Sequence, residues 1–183
     1  MSANTRRWLP GDPPPRQLVE RMIRVDHAGE YGAVRIYAGQ LAVLGRGAKA
    51  ALLRGMQQQE RQHLEMFARL IVERRVRPTA LLPLWHVAGF VLGAATAALG
   101  ERAAMACTAA VEEAIDAHYA GQAARLDADE ADLRDAIERA RRDELEHRET
   151  ALAHEAEKAP GYRLLSAAIK AGCRAAIALS ERI

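Results

Sequence analysis

The chain has 183 residues, of which half are apolar and only 4% are aromatic. This length suits one domain with a substantial core, and the abundance of alanine, leucine, arginine and glutamate favours helices over strands. Because 26 basic residues are nearly balanced by 24 acidic ones, the composition argues against a general nucleic-acid-binding protein. The two cysteines, Cys107 and Cys173, lie far apart in sequence and indicate neither a disulfide framework nor a thiolate metal site.

The chain divides into a short arm and one predicted domain. Residues 1–16 are rich in proline and lack the apolar stretch of a secretory signal, so we predict a flexible N-terminal arm. Residues 17–183 are predicted to form a single all-α domain. Helical periodicity predicts four long helices, at about residues 16–44, 50–77, 100–126 and 129–158. Each of these helices has an inward apolar stripe that is interrupted by Glu, His or both.

Two further segments have a different character. Residues 81–100 contain no Asp, Glu, Lys or Arg, and residues 162–183 place Arg163, Lys170 and Arg174 opposite an apolar face. Twenty apolar residues are long enough to cross a bilayer, but a proline, a histidine and several glycines in the first segment speak against insertion. We therefore predict that both segments are helices that contact a membrane surface.

The long helices are duplicated. The sequence YAGQ occurs at residues 37–40 and again at 119–122, each time seven residues after the glutamate Glu30 or Glu112. A Glu-x-x-His sequence begins 30 residues after the first glutamate and 32 residues after the second. The chain thus reads as two helical hairpins that each offer three candidate metal ligands: Glu30, Glu60 and His63 in the first, and Glu112, Glu144 and His147 in the second.

This pattern predicts a site for two metal ions. Residues three apart on a helix lie on nearly the same face, so each Glu-x-x-His pair brings a carboxylate and an imidazole together. One inward glutamate from each partner helix completes the ligand set of dimetal carboxylate four-helix bundles. Four buried carboxylates would otherwise cost several kcal/mol each or take up protons. Oxygen-rich ligation without thiolate favours iron or manganese over structural zinc.

Other polar residues on these helices are candidates for contact with the ligands. Tyr37 and Tyr119 are predicted to be core residues or hydrogen-bond donors to the site. Asp143 is a candidate for orienting a ligand histidine, whereas Gln59 occupies the corresponding position in the first half, so the halves differ there. His118 either lines the site or is a structural histidine.

Glycines accompany both the site and the apolar segment. Glu30 lies between Gly29 and Gly32, and we hypothesise that these small residues let a helix or a substrate approach the metal centre. Gly89 and Gly93 form a GxxxG sequence, which indicates close packing of two helices or of a homodimer.

On these residues the sequence resembles the demethoxyubiquinone hydroxylase family of membrane-bound dimetal monooxygenases. The resemblance covers about residues 20–183 and rests on RVDHAGEYGAVRIYAGQLAVLGR, RVRPTALLPLW, GFVLGAATAALG, AMACTAAVEEAIDAHY, DELEH and AGCRAAIALSER. It implies a ferritin-like four-helix bundle with two additional membrane-associated helices. It also implies that the six Glu and His residues above bind two iron ions, while the identity of the bridging carboxylates stays open.

The same resemblance implies a reaction and a location. The reaction uses O2 to hydroxylate the benzoquinol ring of a polyprenyl demethoxyubiquinol, with electrons from the quinol, from NADH or from a reductase. The implied location is peripheral, on the cytoplasmic face of a bacterial inner membrane or the matrix side of the mitochondrial inner membrane, with other ubiquinone-biosynthesis proteins as partners. Two alternatives stay open: a ferritin-like ferroxidase or peroxidase, and a non-catalytic quinone-binding helical scaffold.

Overall fold

The structure, a computed structural model, describes residues 14–183, so most of the predicted arm lies outside the described residues. The described part of the chain contains helices and no strands, which confirms the all-α prediction. Short 3-10 turns at Ala128–Glu130 and Ala156–Lys158 flank the fifth helix. The helices are α1 (Pro15–Leu44), α2 (Ala50–Glu73), α3 (Leu82–Ala98), α4 (Glu101–Ala123), α5 (Ala131–Ala153) and α6 (Tyr162–Ser180).

Four of the helices form a bundle of the ferritin-like kind. Helices α1 and α2 make the first hairpin, α4 and α5 make the second, and α1 packs against α4 while α2 packs against α5. Helix α3 lies along α1, and α6 lies along α4. These two helices correspond to the predicted apolar and amphipathic segments, and both lie outside the bundle.

The second helix of each hairpin ends earlier than its periodicity predicted. Arg75 follows α2 with a φ of 54°, and Glu155 follows α5 with a φ of 65°. A left-handed residue ends an α-helix because it breaks the regular bonding of each N–H to the carbonyl four residues earlier, and the Val76 N–H instead donates to the Ile71 carbonyl five residues earlier. Val76 and Ala156 are nevertheless buried just beyond these turns. The apolar spacing therefore continued in the sequence after the helix itself had stopped.

Glycines allow α3 to pack closely against α1. A Cβ atom added to Gly93 would lie 1.9 Å from the carbonyl oxygen of Ile36, and one added to Gly39 would lie 2.1 Å from that of Phe90. No side chain fits at such distances, so the two backbones touch directly. The GxxxG sequence of α3 thus serves packing within the chain.

Helix α6 packs against the bundle with part of its apolar face. Ile169, on its predicted membrane-facing side, is buried against the protein, and Leu165 packs on the core. Lys170 donates a hydrogen bond to Glu113 of α4 at 2.8 Å. Much of the apolar face of α6 therefore covers the bundle instead of facing outward. Across residues 14–183, no helix has both the length and the apolar character that a membrane span requires.

The bundle has two apolar layers with a polar layer between them. The first apolar layer includes Ile23, Phe67, Tyr119 and Leu133. The second includes Tyr37, Leu53, Met105 and Ala151. Along each bundle helix, one buried glutamate falls in sequence between the two layers. The fold therefore brings four glutamates to the same height in the bundle.

Candidate metal centre

The structure brings all six predicted ligands into this polar layer. All six are buried, and His63 is the most exposed of them at 7%. Their ligand atoms form two overlapping groups, and within each group these atoms lie within 4.8 Å of one another. The first group consists of Glu30, Glu60, His63 and Glu144, and the second of Glu60, Glu112, Glu144 and His147. The two groups share Glu60 and Glu144, which makes these two the candidates for the bridging carboxylates that the sequence had left open.

Eight candidate ligand atoms of this layer have no hydrogen-bond partner among the described residues. They comprise both carboxylate oxygens of Glu60 and Glu144, one oxygen of Glu30 and of Glu112, and Nδ1 of His63 and of His147. An unpaired buried polar atom costs about 1–3 kcal/mol, so a convergent group of them is rare in a folded protein. Carboxylates and imidazoles are suitable ligands for divalent iron or manganese. The residues present therefore fit two metal ions.

The pKa shifts in this layer indicate that several of its groups hold protons when no metal is bound. Burial and the charge of Glu144 raise the pKa of both Glu60 and Glu112 well above the usual range. Burial would lower the pKa of His63, but contacts with Glu144 and Glu30 outweigh it and raise that pKa to about 12. Burial would raise the pKa of Glu144, but contacts with His147 and His63 lower it to about 2. Metal ions would have to displace these protons.

Each histidine is held by a residue of the opposite hairpin. Nε2 of His63 on α2 contacts Oδ2 of Asp143 on α5 at 2.9 Å. Nε2 of His147 on α5 contacts Oε1 of Gln59 on α2 at 2.8 Å. These contacts leave Nδ1 of each ring directed at the carboxylates. Asp143 therefore orients a candidate ligand as the sequence indicated, but the ligand belongs to the other half of the chain.

The two tyrosines also connect the hairpins. The Tyr37 hydroxyl donates to Oε1 of Glu112 at 2.9 Å, and the Tyr119 hydroxyl donates to Oε1 of Glu30. Burial and the nearby carboxylates raise the pKa of both phenols well above the usual range, so both hydroxyls stay protonated. Each tyrosine thus contacts a glutamate of the opposite hairpin, and this glutamate belongs to only one of the two ligand groups.

His118 belongs to a neighbouring cluster that sequence reasoning did not find. Its Nε2 lies 3.4 Å from Oδ1 of Asp26, and the same oxygen accepts a hydrogen bond from Gln122 at 2.8 Å. Asp26 is buried, and burial raises its pKa to about 6. Two signals were available: Asp26 lies four residues before Glu30 on the same helical face, and Gln122 ends the repeated YAGQ sequence.

An apolar cavity of about 550 Å³ lies beside the polar layer, between α1, α3, α4 and α6. Gly29, Gly32 and Ala33 contribute to its wall on either side of Glu30, and Val111 does so next to Glu112. A Cβ atom added to Gly29 or Gly32 would meet no atom within 4 Å. These two glycines therefore leave open space beside a candidate ligand, and the approach of a substrate there stays a hypothesis.

Comparison with known proteins identifies the family. Residues 17–180 match the family described as "Ubiquinone biosynthesis protein COQ7". A 3-demethoxyubiquinol 3-hydroxylase of Rhodospirillum rubrum is 59% identical over 176 residues, which cover 96% of this chain and 83% of that protein. The mitochondrial NADPH-dependent 3-demethoxyubiquinone 3-hydroxylases of Rattus norvegicus and Homo sapiens are 56% and 54% identical, over 91% and 92% of this chain and 79% of each relative. These matches confirm the predicted resemblance, and the chain belongs to the COQ7 family of ubiquinone biosynthesis proteins.

Proposed function

We propose that this protein is a dimetal monooxygenase that uses O2 to hydroxylate the benzoquinol ring of a polyprenyl demethoxyubiquinol in ubiquinone biosynthesis. One observation carries the proposal: a buried layer of six Glu and His residues, with several ligand atoms left without hydrogen-bond partners, lies beside an apolar cavity of about 550 Å³ whose wall includes sequence neighbours of Glu30 and Glu112. The relatives named above are 3-hydroxylases of demethoxyubiquinol or demethoxyubiquinone. Their agreement with the site geometry supports the same reaction here.

Two iron ions are the proposed cofactors. Glu30 and His63 would hold one ion, Glu112 and His147 would hold the other, and Glu60 and Glu144 would contact both. Iron at these positions would supply the redox chemistry that activates O2. The electrons must come from an external reductant. The mammalian relatives are named NADPH-dependent, so a nicotinamide nucleotide is the first candidate.

The protein's own part in this chemistry is to hold the ligands in place before metal arrives. Tyr37 and Tyr119 each donate a hydrogen bond to one terminal carboxylate, which fixes the direction of its free oxygen. Asp143 and Gln59 each occupy Nε2 of one histidine, which leaves Nδ1 for the metal. A ligand set fixed in this way loses little conformational freedom when metal binds.

The apolar cavity is the proposed binding site for the quinol. Its volume is that of a small-molecule site, and aliphatic side chains and glycines dominate its wall. At one end Trp85 of α3 donates a hydrogen bond to Ser180 of α6 at 3.0 Å. A quinol ring placed beside Gly29 would lie near the residues that flank Glu30 on α1.

Peripheral membrane binding is the proposed route to this substrate. On α3, the side chains of Leu84, Val87 and Val91 are each more than half exposed, although they are large and apolar. Leu164 and Leu179 are exposed on α6. Both helices line the cavity, so their outer faces would meet lipid where a polyprenyl quinol enters. The cytoplasmic face of a bacterial inner membrane, or the mitochondrial matrix side, is the proposed location.

The cavity favours an organic substrate over the alternative functions. A ferroxidase or peroxidase would need the six ligands but no apolar space beside Glu30. A quinone-binding scaffold would need the apolar space but no layer of unpaired carboxylates. The structure contains both features. Binding of other ubiquinone-biosynthesis proteins and formation of a homodimer stay predictions.

Isotope labelling tests the reaction directly. Purified protein loaded with Fe(II) would receive a short-chain demethoxyubiquinol, a reductant and oxygen-18 gas, and the product would be weighed by mass spectrometry. We expect one labelled oxygen on the ring. Glu112→Ala is the control, and it should keep the helical circular dichroism spectrum and lose the product. Iron oxidation and O2 consumption with an unchanged ring would instead support the ferroxidase alternative.

A further inference from the structure

We propose that the two metal positions are inequivalent and that Asp143 makes the position ligated by His63 bind its metal ion first. This inference rests on the proposed dimetal centre and concerns how the centre fills. Asp143 is a positioning residue in this proposal, because it contacts a ligand and not the metal.

The ligands themselves are nearly the same at both positions. Each position takes one terminal glutamate, one histidine and the two shared carboxylates. Each terminal glutamate accepts a hydrogen bond from a buried tyrosine. The matched pairs are Glu30 with Glu112, Tyr37 with Tyr119, Glu60 with Glu144, and His63 with His147. A difference between the two positions must therefore arise from the residues around this duplicated set.

The clearest difference lies behind the histidines. Asp143 and Gln59 occupy matched places, one residue before the Glu of each Glu-x-x-His, and contact Nε2 at 2.9 Å and 2.8 Å. The distances are alike, but one acceptor is an anionic carboxylate and the other is a neutral amide. A hydrogen bond to a carboxylate is the stronger of the two. It moves electron density onto the imidazole and makes Nδ1 of His63 the better donor to a metal ion.

A second difference lies on the same side of the site. Asp26 precedes Glu30 by four residues, and the matched residue four places before Glu112 is Thr108. Asp26 accepts a hydrogen bond from Gln122, just as Thr108 accepts one from Gln40. His118 lies 3.4 Å from Asp26 and offsets part of its charge. Asp143 and Asp26 therefore both lie beside the metal position that takes Glu30 and His63.

Surface exposure does not remove the effect of Asp143. Its side chain is 40% exposed, so its charge is screened at long range. The proposal needs only the direct hydrogen bond to His63, which is 8% exposed in its side chain. Changes to such outer partners of metal ligands typically weaken metal binding about 10- to 100-fold. A difference of that size is enough to order two binding events.

Occupancy measured by anomalous scattering tests the order. Crystals of the whole protein would be soaked with less than one equivalent of Mn(II), and the anomalous peaks at the two positions compared. In the wild type we expect the stronger peak next to His63. Asp143→Asn, which keeps the shape and removes the charge, should bring the two peaks closer together. The exchange variant Asp143→Asn with Gln59→Glu should move the stronger peak next to His147.

Mössbauer spectra provide a second measurement in solution. Protein given one equivalent of iron-57 should show mainly one ferrous species in the wild type and a different one in the exchange variant. Equal peaks in the wild type, or an unchanged order in the exchange variant, would overturn this inference while leaving the dimetal proposal standing. Absence of metal from both positions at saturating Mn(II) would instead overturn the dimetal proposal.

Discussion

Tyr119 in the second hairpin donates its hydroxyl hydrogen bond to Glu30 in the first. The phenol is 2% exposed and the carboxylate 1% exposed, so water does not compete for this contact. Tyr37 makes the reciprocal contact with Glu112. The two hairpins therefore hold each other's ligands.

Replacing one tyrosine by phenylalanine should weaken metal retention more than it alters the fold. Tyr119→Phe removes a donor from Glu30 and leaves a buried carboxylate oxygen without its partner. We expect the free energy of unfolding to fall by about 1–3 kcal/mol and the protein to lose iron faster to a chelator. Urea unfolding and the rate of iron release measure the two effects. Tyr37→Phe is the matched control and should act through Glu112; wild-type iron release in both variants would contradict this role.

The iron content of substituted proteins should distinguish ligands shared by both proposed metal positions from ligands of one position. His147→Ala removes a ligand from one position, so we expect about one iron per chain after loading. Glu60→Gln weakens both positions, because both groups contain Glu60, and should reduce iron below that of His147→Ala. Plasma emission spectrometry gives the iron content. Equal iron in the two variants would mean that Glu60 does not bridge.

The metal-free protein should become less stable as the pH rises above about 5. The pKa values of Glu60 and Glu112 are raised on folding from 4.5, so above that pH the unfolded chain releases protons that the folded chain keeps. The pKa of His63, raised to about 12, adds stability that is full below its unfolded value of 6.5 and is lost as the pH rises towards 12. The pKa of Glu144 is lowered from 4.5 to about 2. This carboxylate therefore adds stability that is present above pH 4.5 and is lost as the pH falls towards 2.

Thermal melts of the metal-free protein between about pH 5 and pH 9 test this slope. We expect Tm to fall with rising pH, and the increase in Tm on adding Mn(II) to grow, because metal binding releases these protons. The variant with Glu60→Gln and Glu112→Gln should show a shallower fall. A metal-free Tm that stays level over this range would show that the carboxylates are ionised without metal.

Two glycine substitutions should have opposite effects on stability. Gly29→Ala places a methyl group in open space and should raise the free energy of unfolding by about 0.5–1 kcal/mol, because alanine favours a helix. Gly93→Ala forces its methyl group against the Ile36 carbonyl oxygen and should lower stability by about 1–3 kcal/mol or more. Urea unfolding compares them.

A larger side chain at the same place tests the cavity. Gly29→Leu extends into the apolar space, so we expect normal iron content and a rise in KM for a short-chain quinol of roughly tenfold or more. An unchanged KM would show that the quinol binds elsewhere.

Charges on the outer face of α3 should weaken membrane binding. Burying a valine in an apolar environment contributes about 1.5 kcal/mol, so Val87→Glu and Val91→Glu are each expected to reduce binding to anionic lipid vesicles roughly tenfold. Val72→Glu on α2 is the control, because Val72 is 75% exposed and lies on a helix outside the cavity wall. Vesicle sedimentation gives the bound fraction. An equal loss in the control would indicate a general charge effect.

The candidate site could be predicted from the sequence to the extent that helical spacing determines which face a residue occupies. The repeated interval between Glu30 and the following Glu-x-x-His placed six residues on inward faces without any structure. Spacing within one helix does not show which residue of another helix it meets. The contacts from Asp143 to His63 and from Tyr119 to Glu30 cross between hairpins and became visible only in the fold.

The same limit applies to His118 and to α6. His118 precedes Tyr119 by one residue, a rotation of about 100° around the helix, so it points to Asp26 and not to the ligands. The amphipathic pattern of α6 predicted one apolar face correctly but did not distinguish lipid from protein as its partner. Ile169 contacts the bundle. Lipid and protein both remove an apolar side chain from water, so the pattern alone does not show which of them covers it.

Glu60 and Glu144, which belong to both ligand groups, make the two hairpins of this duplicated chain depend on each other. Each proposed metal position would draw ligands from both hairpins, since Glu60 comes from the first and Glu144 from the second. One hairpin alone can complete neither position, although it carries a full copy of the repeated pattern. Two metal ions would therefore act as cross-links that join the halves. A single ancestral hairpin with this pattern could have held the same centre only by pairing with a second copy of itself.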